Sequence, residues 1–261
     1  MVNIIAKLHA VEQTYRSLIP AHQTTRLDPV QLVQQYLTDS NIEQAAGEIY
    51  ALEFFCKHLS DTQSLRPDVF EELAKRMLLC VQPDNYYGLR MEARIASSLA
   101  RKRLNFNLQE RPDFNIGNGE FFIECGSVWP NSLKNGKDYR ERVASTIKSK
   151  NKNRYATKNT ILAIEITSVV GAMISQGKLD DDTDFHGFLC SLANEMNFGS
   201  ILLFCTVFSG ENNSINSVLD RIDSPQIDQC LLLAMDRYFK KDGVRINQPF
   251  VPGQSTKMRT G

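Results

Sequence analysis

RPDFNIGNGEFFIECG, residues 111–126, decides how this chain folds. Pro112-Asp113 starts one short strand, Gly117-Asn118-Gly119 reverses the chain, and Phe121-Phe122-Ile123 carries a second strand to Glu124. The turn residues supply the positive φ angles that a tight hairpin requires. Glu124 interrupts an apolar run with a charge, which is costly in a buried strand unless the charge is paired or holds a cation. Asp113 stands near the start of one strand and Glu124 near the end of its neighbour, so the two carboxylates can converge. Converging carboxylates are what a hard divalent cation such as Mg²⁺ takes as ligands.

Upstream of the hairpin, residues 86–103 read as a helix. Leu89, Glu92, Ala96 and Leu99 share one face of it, which sets Glu92 beside the apolar stripe. Such a glutamate is either a rim residue paired with Arg90 or Arg94, or a member of an internal polar site. A strand is also expected at 104–108, ahead of those at 113–116 and 120–125.

Downstream, a basic helix is expected over 137–154. Between Lys134 and Lys158 nine basic residues face two acidic ones, a local charge of +7 in a chain of zero net charge. Zero net charge excludes a global attraction to nucleic acid, so any such binding must come from a local patch. The run is either a solvated face or a phosphate-contacting surface made by Arg140, Lys148, Lys152 and Arg154. Tyr139, Val143, Ala144 and Ile147 form its apolar stripe. At 100° per residue Lys150 lies about 40° from the centre of that stripe and Lys148 about 120° away. Lys150 and Arg154 are therefore expected to face inward, and Lys148 outward.

The remaining elements give an α/β class. TILAIEIT (160–167) and SILLFCTVF (200–208) read as buried strands, with helices near 185–196 and 225–239. Residues 1–82 read as a helical N-terminal subdomain, containing AAGEIYALEFFCKHL (45–59) and a helix opened by Pro67. Pro83-Asp84-Asn85 breaks the chain, residues 83–252 form the α/β domain, and 253–261 form a loose tail.

Other chemistry is sparse. The six cysteines show no CxxC or Cys/His spacing and mostly sit in apolar runs, as expected of reduced buried thiols. His9, His22, His58 and His186 are scattered. Asp180, Asp181, Asp182 and Asp184 lack the glycine and terminal glutamate of a calcium loop. Trp129 packs over a sheet end or stacks on a base. No signal core or membrane-length apolar run is present, so a soluble cytoplasmic protein is expected.

Over residues 86–209 the chain resembles the PD-(D/E)XK nuclease superfamily. That family has a glutamate on the helix before the sheet, an Asp after Pro on one strand, and Glu-x-Lys on the next. Glu92, Asp113 and Glu124 match the first three positions, whereas Gly126 stands where the lysine belongs. In some branches the lysine has migrated to the following helix, where Lys150, or less well Lys148, could substitute. The resemblance implies a restriction-endonuclease-like mixed sheet flanked by helices. It further implies one or two Mg²⁺ (or Mn²⁺) ions on Asp113 and Glu124 with help from Glu92, and hydrolysis of DNA phosphodiesters in restriction or defence. The missing Glu-x-Lys lysine leaves a second expectation: an inactive nuclease-fold module that binds nucleic acid or protein. Its partner surface, or that of a homodimer, would be the N-terminal helices.

Overall fold

A computed structural model describes residues 4–19, 27–39, 42–128, 139–167, 169, 185–209 and 214–239. Trp129, Lys134, Lys137, the Asp180–Asp184 loop, His22 and the 253–261 tail lie outside the described residues. The chain divides into two compact units, Met1–Leu108 and Gln109–Gly261, so the helix over 83–101 groups with the N-terminal helices.

The first unit is helical: α1 (Ile4–Leu18), α2 (Pro29–Thr38), α3 (Ile42–Leu65), α4 (Pro67–Leu79) and α5 (Pro83–Arg101). Prolines stand at the first turns of α2, α4 and α5, where a missing N–H costs nothing. Asp28 caps α2 by accepting from the Val30 N–H at 3.0 Å. In α3, Ala45, Ile49, Leu52, Cys56 and Leu59 recur at helical spacing and are buried. Between α3 and α5, buried Arg90 pairs with Glu48 at 2.8 Å and stacks over the Tyr87 ring at 4.7 Å. The unit ends in strand β1 (Phe106–Leu108).

The second unit contains β2 (Phe114–Ile116), β3 (Phe121–Ser127), α6 (Tyr139–Asn151), β4 (Thr160–Glu165), α7 (Phe185–Asn194), β5 (Ser200–Ser209), β6 (Ser214–Asp223) and α8 (Gln229–Tyr238). Strand order is β1-β2-β3-β4-β5-β6, a six-stranded mixed sheet. β2 and β3 are antiparallel, β3, β4 and β5 run parallel, and β5 and β6 are antiparallel. The expected α/β class with a mixed sheet flanked by helices is thus present. Gly117, Asn118 and Gly119 take φ of 60°, 59° and 100° and turn the β2–β3 hairpin as their residue types require.

Parallel β4 is buried throughout, as its unbroken apolar run requires. Val143 and Ile147 of α6 and Leu189, Leu192 and Ala193 of α7 share a core with Leu162, Ile164, Ile201 and Leu203 of the sheet. The face of β4 that carries Leu162 is therefore the face under α6. Gly199, just before β5, touches the Lys158 backbone so closely that a Cβ there would lie 2.2 Å from the Lys158 carbonyl oxygen.

One element was not expected from the sequence. Strand β6 pairs with β5 over ten residue positions, from Ser209↔Ser214 to Ser200↔Asp223. Buried Arg221 anchors it, donating to both Asp223 oxygens at 2.8 Å and to the Phe239 carbonyl at 3.3 Å. The cysteines are free thiols, and Cys56, Cys80, Cys125 and Cys205 are buried. No helix of the described residues is long and apolar enough to cross a membrane.

Candidate active site

The hairpin register fixes where the strand carboxylates stand. Phe114 pairs with Ile123 and Asn115 with Phe122, and continuing by one residue sets Asp113 opposite Glu124. Directly opposite residues of an antiparallel pair share a face, with Cβ atoms about 5 Å apart. On its other side Glu124 is in register with Leu162, which places it on the face covered by α6. Both carboxylates therefore project to the side from which α6 can supply a base.

Glu124 is 2% exposed. Lys150 Nζ donates to its Oε1 and, at 2.9 Å, to the Cys125 carbonyl. The Tyr155 hydroxyl donates to the same Oε1 at 2.8 Å. Oε2 of Glu124 is buried without a hydrogen-bond partner. Asp113 Oδ2 accepts from the Cys125 N–H at 2.6 Å. The Tyr155 phenol is raised above the ordinary tyrosine range by burial first, then by its hydrogen bond to Glu124 and that carboxylate's charge. The Arg111 cation offsets part of the rise.

Lys150 reaches this position because the last two turns of α6 turn it inward beside buried Ile147. The position two residues after Glu124 is buried Gly126, and a Cβ built there would meet Lys150 Cε at 3.6 Å. The Lys150 stem thus occupies the space beside Gly126 that a lysine side chain at that position would enter. Lys148 is exposed, as the helical angle requires. Arg154, expected on the inward side, is instead exposed: α6 ends at Asn151, so helical geometry does not carry that far. Lys152 is exposed and Arg140 half-buried.

Glu92 belongs to the first unit. Its carboxylate pairs with Arg76 at 2.8 Å, and its side chain is 12% exposed. Arg76 of α4 is thus a partner that Glu92 finds outside its own helix.

Among the described residues no group of three or more His, Cys, Asp or Glu side chains gathers as a metal cage. Two strand carboxylates nevertheless suit a hard cation, because Mg²⁺ keeps several waters and takes only one or two carboxylates plus phosphate oxygens. The partnerless Oε2 of Glu124 is an oxygen donor of the required type. A buried carboxylate oxygen left open is otherwise costly. The donor set therefore fits such an ion.

The sequence alone does not single out Tyr155 or Arg111. Tyr155 follows the end of α6 in the polar run NKNRY, where periodicity assigns no face. Arg111 stands two residues before Asp113, and that proximity was its only signal. No protein-family model, curated protein or solved structure matches this chain.

Proposed function

We propose that this protein is a metal-dependent nuclease that hydrolyses DNA phosphodiester bonds at Asp113, Glu124 and Lys150. The observation that carries the reading is the ammonium of Lys150, delivered by α6 onto a buried strand glutamate beside Gly126. An acid pair on adjacent strands with a lysine at the second acid is the constellation the resemblance implies. Here the lysine comes from the helix.

Asp113 and Glu124 would hold the ion, Mg²⁺ or Mn²⁺. When bound, the ion would acidify a water and stabilise charge on the scissile phosphate. The chain's own groups have separate tasks. The Cys125 N–H orients the Asp113 carboxylate. Lys150 neutralises Glu124 and sets a positive charge where a phosphate oxygen would arrive. Exposed Lys148, Lys152 and Arg154 offer the phosphate backbone a sequence-independent electrostatic grip.

Incubation of supercoiled plasmid with the protein and Mg²⁺ or Mn²⁺ tests the proposal. Nicking is expected from wild type and not from Glu124→Ala. An inert wild-type protein, or equal nicking by the variant, refutes it.

The engagement of Lys150 with both Glu124 and the Cys125 carbonyl favours a second reading. In it the pair is a permanent structural bond, and the domain binds nucleic acid or a partner without cutting. Mn²⁺ binding that disappears in Asp113→Ala counts against that reading.

A further inference from the structure

Resting on the metal-site reading above, we infer that Tyr155 is a positioning residue that keeps one oxygen of Glu124 open to a divalent cation. A carboxylate oxygen has two acceptor sites. Oε1 of Glu124 receives two donors, the Lys150 ammonium and the Tyr155 hydroxyl. It is saturated. Oε2, on a side chain only 3% exposed, receives none.

This asymmetry needs both donors. With Lys150 alone, Oε1 retains an open site, and the carboxylate can rotate so that the ammonium bridges both oxygens. That rotation would cover Oε2 and remove the ligand. The phenol occupies the second site of Oε1 from a different direction, because Tyr155 lies beyond the end of α6 while Lys150 lies within it. Two donors from separate backbone positions fix the carboxylate plane more tightly than one flexible lysine.

The open oxygen is not explained by other neighbours. Lys150 spends a further N–H on the Cys125 carbonyl, and the Cys125 N–H is taken by Asp113. Glu124 is thus set to bind an ion through one oxygen, with Asp113 opposite as the second carboxylate. Tyr155 touches neither ion nor substrate in this arrangement. It acts only through Glu124.

The test compares wild type with Tyr155→Phe, which removes one oxygen atom and keeps the ring. Mn²⁺ alone is titrated calorimetrically, and plasmid nicking is measured against Mn²⁺ concentration. The expected result is Mn²⁺ affinity about tenfold weaker, with the nicking rate at saturating Mn²⁺ within twofold of wild type. A merely structural role would lower the saturated rate or the folded fraction and leave the metal affinity unchanged. Wild type that binds Mn²⁺ and a variant that binds equally overturn the inference while leaving the metal site in place. Wild type that binds no Mn²⁺ removes the metal site and the inference together. If circular dichroism shows Tyr155→Phe unfolded, Tyr155→Trp, also aromatic and without a hydroxyl, is judged by the same criteria.

Discussion

Lys150→Ala is the perturbation with the most to reveal. It removes the ammonium and leaves Glu124, whose side chain is 3% exposed, with Tyr155 as its remaining donor. Breaking one side of a buried ion pair costs about 3–5 kcal/mol, because the surviving charge stays desolvated. Here the lysine side chain is 31% exposed, so water can enter the space it vacates. That lowers the expected cost to about 2–3 kcal/mol at neutral pH. A divalent cation can then replace the lost positive charge. At about one hundred times its dissociation constant it would restore about 2.7 kcal/mol by mass action, offsetting nearly the whole loss. Wild type should gain less from the same cation, since Lys150 repels it.

Urea unfolding followed by circular dichroism, with and without Mn²⁺, measures both quantities. Adding Gly126→Lys to the variant supplies an amine from the strand itself. Among the described residues, its two chain neighbours aside, the only atom within 4 Å of a Cβ at that position is Lys150 Cε, which the alanine removes. At least half of the lost stability should return. A Lys150→Ala protein within about 0.5 kcal/mol of wild type, the scatter of ordinary surface substitutions, would show that the ammonium does not stabilise the buried Glu124 carboxylate.

Three further outcomes are expected. His58 is held at about 3 by burial and by the charges of Arg94, Arg101 and Lys57, against 6.5 when unfolded. Its folded form therefore resists protonation while the unfolded chain accepts it. Stability is present above the unfolded pKa and declines as pH falls toward the folded one, by about 2 kcal/mol between pH 7 and pH 5. Urea midpoints at pH 7, 6 and 5 should fall less steeply in His58→Gln, and equal slopes would contradict the assignment. Gly199→Ala forces a methyl to within 2.2 Å of the Lys158 carbonyl and 2.7 Å of Leu231 Cδ2. A loss of about 3 kcal/mol is expected, and an unchanged thermal midpoint would show that this backbone contact gives way. Arg221→Met strips the guanidinium, 1% exposed, from Asp223 and Asp236. A loss of about 3 kcal/mol should appear in denaturant, and hydrogen exchange should rise first along β6; protection unchanged there would argue against the anchor.

The sequence displayed some parts of this molecule and hid others for identifiable reasons. The hairpin was legible because Gly117-Asn118-Gly119 leaves few conformations open and Phe121-Phe122-Ile123 can only be buried. Lys150 was legible because α6 is regular through Asn151, so 100° per residue separates it from Lys148. That rule stops at the helix end. Arg154 is exposed, and Tyr155 reaches Glu124 from a segment whose direction is set by tertiary contacts. Strand β6 was hidden by its own spacing. Ile215, Val218, Leu219 and Ile222 recur at i, i+3, i+4 and i+7, a helical pattern. Pairing with β5 along ten positions overrides that preference. The Arg76–Glu92 pair was hidden as well, since Arg76 is sixteen residues away and belongs to another helix.

The route by which the amine reaches Glu124 ties assembly of this centre to folding. Both acids lie on one hairpin, whereas the base rides on a helix docked by Val143 and Ile147. An isolated 111–126 peptide would hold three acids, Asp113, Glu120 and Glu124, against the single cation of Arg111, and without the Lys150 amine their mutual repulsion would oppose the turn. The ionic trio can therefore form only after α6 has settled onto the sheet. Any activity residing there emerges late and all at once, with the completed domain.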